Sequence, residues 1–152
     1  MRLSPEVFSG RSVSALAVAA HETGHALQHA QGYAALVLRN LAVPVASIGS
    51  NLGLGLILMG ALFAFTQMIW LGILFFSATV FFQLITLPVE IDASQRAKRE
   101  LEHLTLVLPG EKRGVSAVLS AAAMTYVAAA LGAVATLAYY VFRLGGLGDA
   151  RR

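Results

Sequence analysis

The sequence predicts an all-α integral membrane protein, with three transmembrane helices and one further helix ahead of them on the cytoplasmic side. Three observations carry this. Apolar residues make up 57% of the 152 and charged residues only 12%, against roughly 45–50% and 25% in soluble proteins, and such an excess of apolar surface needs lipid to cover it. Two long runs, Ala42 to Val89 and Val115 to Phe142, contain no Asp, Glu, Lys, Arg or His. Between Ser12 and Gly32 lies a stretch rich in Ala and Leu, both good helix formers. The length suits one domain over residues 1–152, and no internal repeat is visible.

Residues 1–12 read as a short extended or irregular lead, with Ser4-Pro5 and Ser9-Gly10 as turn signals. Ser12 is a suitable N-cap and Gly32 a suitable stop, which predicts a helix over 13–30. The 48 residues from Ala42 to Val89 exceed one crossing, which needs about 20. Two crossings are expected, at about 41–63 and 68–88, with a turn near Phe65-Thr66-Gln67. Asn51, Gln67 and Gln83 are polar breaks, which lipid tolerates poorly unless they face protein. Gly49, Gly53 and Gly55 suit close helix packing, and Ser50-Asn51-Leu52-Gly53 alternatively marks a break near the membrane surface. Residues 89–114 are polar, and the second helix is expected to continue to about Leu104 before a loop at 105–113. The third crossing is expected at 115–142, with Gly132 and Ser120 placed for tight packing. Gly145-Gly146-Leu147-Gly148 and the terminal arginines read as a flexible tail.

Three crossings put residues 1–40 and 89–114 on one side. Of the eleven Lys and Arg, eight fall in these two segments and three near or in the tail, which points the 1–40 side into the cytoplasm. Met1 to Pro5 leads into no apolar signal region, so membrane entry is expected to use the internal runs. The absence of cysteine excludes disulfides, thiolate zinc sites and cysteine nucleophiles. A net charge of +3 is too small to argue for nucleic acid, and no basic run is interleaved with aromatics, so no nucleic-acid partner is expected.

Chemistry concentrates at His21-Glu22-Thr23-Gly24-His25, an H-E-x-x-H match inside the first helix. Chance supplies about 0.004 such matches per chain of this composition. Residues four apart share a helix face, so both imidazoles can reach one ion. Glu22 then stands beside the open position as general base, taking a proton from metal-activated water as it attacks a peptide carbonyl. The ligand types suit Zn²⁺ without separating it from cobalt or manganese. A third ligand is required. His29 lies about 12 Å along the helix from His21, too far to share the ion. The pattern with a further Gly and His fails at Gln28 and Gln31. Glu90 is the best candidate: it follows the second crossing, and its neighbours Ala93, Ser94 and Ala97 are small, as are Ala17, Ala20 and Gly24 opposite. Asp92, Glu100 and His103 are the alternatives, and His103, Tyr33 and Tyr126 are open candidates for stabilising an oxyanion. The basic residues at 96–99 read as a surface facing lipid headgroups.

The blocks Leu3–Phe8, Ala17–Ala30, Val43–Asn51, Leu87–Ser94 and Ala121–Ala130 resemble the YugP-type bacterial neutral zinc metallopeptidases over nearly the whole chain. The resemblance implies a gluzincin-like, multi-pass protease of the bacterial inner membrane, with zinc held by His21, His25 and Glu90 and with Glu22 catalytic. Its substrates would be proteins or peptides associated with the membrane. The blocks are also similar to the HtpX-like proteases, in which an Asp stands four residues after the ligand Glu. Here that place is Ser94, and Asp92 is the nearest acid. The YugP-type proteins usually carry a further membrane helix and a soluble segment ahead of the Leu-Ser-Pro-Glu stretch. That part would include strands beside the metal helix, one of which holds substrate in related proteases. The rival expectation is a non-catalytic metal-binding membrane protein or an inactive short form. A metal transporter is disfavoured by the lack of ionisable residues in the crossings.

Overall fold

The computed structural model describes residues 2–149, and for 144–149 the backbone alone. Among the described residues there are five helices and no strand: α1 (Pro5–Ser9), α2 (Val13–Ala30), α3 (Ala34–Leu62), α4 (Thr66–His103) and α5 (Lys112–Asp149). Three of them, α3, α4 and α5, are long and apolar enough to cross a membrane.

The lead is partly helical where the sequence suggested an irregular segment. Ser4 caps α1 by accepting from the Val7 amide, and Pro5 occupies the first turn, where its missing N–H costs nothing. Ser12 caps α2 by accepting from Ala15 N at 3.1 Å. The helix ends at Gly32, whose φ of +61° is the left-handed conformation that glycine adopts without strain. There Tyr33 N donates to Gln28 O and Gly32 N to His29 O, closing the last carbonyls.

The long helices start before the expected crossings, and α4 ends at His103, close to the expected Leu104. α3 begins at Ala34 and passes through Ser50–Gly53 unbroken. The turn to α4 lies at 63–65, with Ala64 left-handed. The 38 residues of α4 extend about 57 Å at 1.5 Å per residue, far more than the ~30 Å of a hydrocarbon core. Its charged residues begin only at Glu90. α5 continues through Gly145–Gly148 to Asp149, so those glycines are helical; Ala150 to Arg152 lie outside the described residues.

The chain forms two compact units, residues 1–37 with 86–127 and residues 38–85 with 128–152. In the first, α2 lies against the end of α4 and the start of α5, around Ala17, Ala20, Ala97, Leu101, Val107, Val115 and Leu119. In the second, α3 and α4 meet through glycine: a β-carbon on Gly53 would stand 2.7 Å from Phe76 N, and one on Gly49 2.5 Å from Phe75 O. Gly55 and Gly132 face open space and Ser120 is exposed, so these three do not serve the tight packing expected of them. The apolar centre of this unit is Ile57, Ile69 and Ile73.

Candidate metal centre

The site begins with small side chains. On α2, Ala17, Ala20, Gly24 and Gln28 follow one another at helical spacing and are all buried. They meet Val89, Ala93 and Ala97 of α4, each fully buried. A β-carbon on Gly24 would stand 2.3 Å from the Ala93 carbonyl oxygen. Helices this close put the side chains flanking the contact within bonding reach of one another.

His21 and His25 flank it on α2, and Glu90 flanks it on α4. His21 Nε2 lies 3.1 Å from Glu90 Oε2, and His25 Nε2 lies 3.4 Å from the same oxygen. The two rings stand edge to face, 4.7 Å between centroids. One ligand atom from each of the three lies within 4.8 Å of the other two. Donors bonded to one tetrahedral zinc at about 2.05 Å would be about 3.3 Å apart, and the two imidazole–carboxylate separations fit that spacing.

The outer nitrogens are engaged elsewhere. His21 Nδ1 is 3.2 Å from Ser94 Oγ, and His25 Nδ1 is 2.9 Å from Gln28 Oε1. Glu90 is only 2% exposed. A buried carboxylate needs compensating positive charge. The hydrogen bond with Glu90 raises the pKa of His25 above its usual value, against the opposing effect of burial; Gln28 and the charges of Glu90 and Glu22 add to the rise.

The other sequence candidates fall elsewhere. Asp92 turns from Glu90 towards Gln28 and Arg96, which donate to its Oδ2 at 2.8 and 2.5 Å. Arg96 thus pairs with Asp92, leaving Glu90 to the histidines. His103 ends α4, about 20 Å along the helix from Glu90 at 1.5 Å per residue. It is exposed, as is His29. Tyr33 lies under the Arg96 guanidinium, 5.6 Å from ring centroid to Cζ. Glu22 is half-buried beside the two histidines in sequence. Ser94, four residues after Glu90, supplies a hydroxyl to His21.

Sequence reasoning missed Gln28. The signal was present: it is the one polar residue on the buried face formed by Ala17, Ala20 and Gly24.

The family described as "Putative neutral zinc metallopeptidase" matches this chain over residues 1–145. The chain is 54% identical over 131 residues to "Putative membrane protease YugP" of Bacillus subtilis (strain 168), a match covering 86% of this chain and 58% of that protein. The chain thus spans somewhat less than three-fifths of its curated relative's length. No solved structure matches it. The extent of the family match and the identity to this relative agree with the helix-borne motif: the chain belongs to the zinc peptidase family so described.

Proposed function

We propose that this chain carries the metal site of a zinc-dependent endopeptidase of the bacterial inner membrane, with the site on the cytoplasmic face. The supporting observation is the convergence of His21 and His25 with Glu90, 65 residues further on, at 3.1 and 3.4 Å. His21, His25 and Glu90 would hold the zinc, which when bound supplies Lewis acidity and makes water a nucleophile near neutral pH. Glu22 follows His21 directly and carries the free carboxylate of the motif. It takes the proton as water attacks the carbonyl carbon of a peptide, then returns it to the leaving amine. Glu90 stays a carboxylate throughout and balances the charge of the cation. The substrates are membrane-associated proteins or peptides, because Glu90 directly follows the uncharged apolar run of α4.

The test is metal analysis and casein or peptide cleavage by the detergent-purified chain and its Glu22→Gln variant. The variant should keep stoichiometric zinc and lose activity by about 10²–10⁴-fold, the usual worth of a positioned base. Equal cleavage by the variant would end the base assignment. Zinc uptake with no cleavage by the wild type would favour the non-catalytic rival. For orientation, Gln95→Cys gives this cysteine-free chain one exposed thiol on α4. It should resist an impermeant thiol reagent in intact cells and react after lysis; labelling before lysis reverses the sidedness.

A further inference from the structure

Gln28 is a fully buried amide three residues after His25, and every one of its polar groups is used. Its Nε2 donates to Val89 O at 2.8 Å and to Asp92 Oδ2 at 2.8 Å, while its Oε1 faces His25 Nδ1 at 2.9 Å. The partners decide which way such an amide points. A main-chain carbonyl and a carboxylate only accept, so both require the nitrogen end. The reverse orientation would set Oε1 against two acceptors in a buried place. With the nitrogen end held, Oε1 must accept from His25 Nδ1–H, so in the neutral ring Nδ1 carries the proton and Nε2 the lone pair that a metal would take. That Nε2 is the atom 3.4 Å from Glu90.

The anchor is itself held. Arg96 donates to Asp92 from four residues further along α4, also donates to Gln31 Oε1, and lies over the Tyr33 ring. The second histidine is treated differently. His21 Nδ1 meets the Ser94 hydroxyl, which can donate or accept and so does not dictate a tautomer.

From these contacts we infer that Gln28 and Asp92 are positioning residues: through one doubly anchored amide they hold His25 in the tautomer that presents Nε2 to the metal, and so set the site's affinity for zinc. Asp92 acts at two removes, touching neither histidine. The inference rests on the proposed zinc site, and the experiment separates the failure of one from the failure of the other.

Zinc affinity is measured by competition with a chromophoric chelator on the full chain in detergent, with the melting temperature of each metal-free variant as a folding control. Gln28→Met fills the same space without hydrogen bonds and should weaken zinc by about 10–100-fold, the usual cost of losing such a partner. Asp92→Leu should weaken it comparably. Asp92→Asn, which keeps an acceptor for the amide, should recover most of the loss. Because Asp92 acts through Gln28, adding Asp92→Leu to Gln28→Met should cost little more, within about 3-fold. A role in packing alone predicts no loss for Gln28→Met and no rescue by Asp92→Asn. Wild-type affinity in Gln28→Met, or equal weakening by Asp92→Leu and Asp92→Asn, overturns the inference while the zinc site stands. If Gln28→Met fails to fold, the two Asp92 variants decide. If His25→Ala binds zinc as the wild type does, the zinc site and the inference fall together.

Discussion

The two units of this chain use the same way of bringing helices together and bury different chemistry with it. In residues 38–85 with 128–152, glycines let backbones approach, and the groups around the contact are apolar: Ile57, Ile69 and Ile73, with Phe76, Leu137 and Tyr140 packed against them. Leu54, Leu58 and Leu74 of this unit point outward, as lipid-facing residues do. In residues 1–37 with 86–127, the contact at Gly24 and Ala93 is as close, yet the groups beside it are two imidazoles, a carboxylate, an amide and a hydroxyl. Close approach is thus a general device of this protein. What it accomplishes depends on which side chains flank it. Apolar flanks add dispersion and a span that lipid accepts; polar flanks must satisfy one another, as His25 does with Gln28 and His21 with Ser94.

The largest way to break the contrast is Glu90→Ala. It removes the one proposed ligand contributed by α4, and zinc should fall from about one per chain to under about 0.1, read by metal analysis of purified protein. Stoichiometric zinc in that variant would show that another group is the third ligand.

Next is Gly24→Ala. Its β-carbon must displace the Ala93 carbonyl or move α2. Overpacking of this kind costs about 1–3 kcal/mol. Zinc should also weaken, by at least about 10-fold, because small displacements of supporting groups are felt by metal sites. Gly53→Ala sharpens the comparison. It creates a somewhat looser backbone clash, 2.7 Å from Phe76 N and 2.9 Å from Gly72 O, within the other unit. The melting temperature should fall by a similar amount with zinc affinity kept; a loss of zinc here would show that the units do not bury their chemistry independently. The smallest effect belongs to Gly55→Ala. Nothing lies within 4 Å of a β-carbon there, so the change should raise stability by about 0.5–1 kcal/mol through helix propensity and leave zinc untouched.

Much of the fold was legible because single helices obey local rules. The start of α2 at Val13 follows from the Ser12 cap, and its end from Gly32. The uncharged run from Ala42 to Val89 predicts two crossings by its length. The misreadings have two causes. Gly55 and Gly132 look identical in sequence to Gly49 and Gly53, but only the neighbouring helix decides which glycine is approached. α1 was hidden in a five-residue segment too short for periodicity to reveal.

The sequence by itself determined the membrane class, the helix that carries His21, Glu22 and His25, and the small-residue faces able to meet, because composition, capping and the 3.6-residue repeat act within short stretches of chain. Only the tertiary structure decided that Glu90 and not Asp92 turns towards the histidines, and that Gln28 holds His25 with Asp92 behind it. Those choices depend on the rotation of one helix against another. That rotation is set by the contact of Gly24 with Ala93, two residues 69 positions apart that no local rule connects.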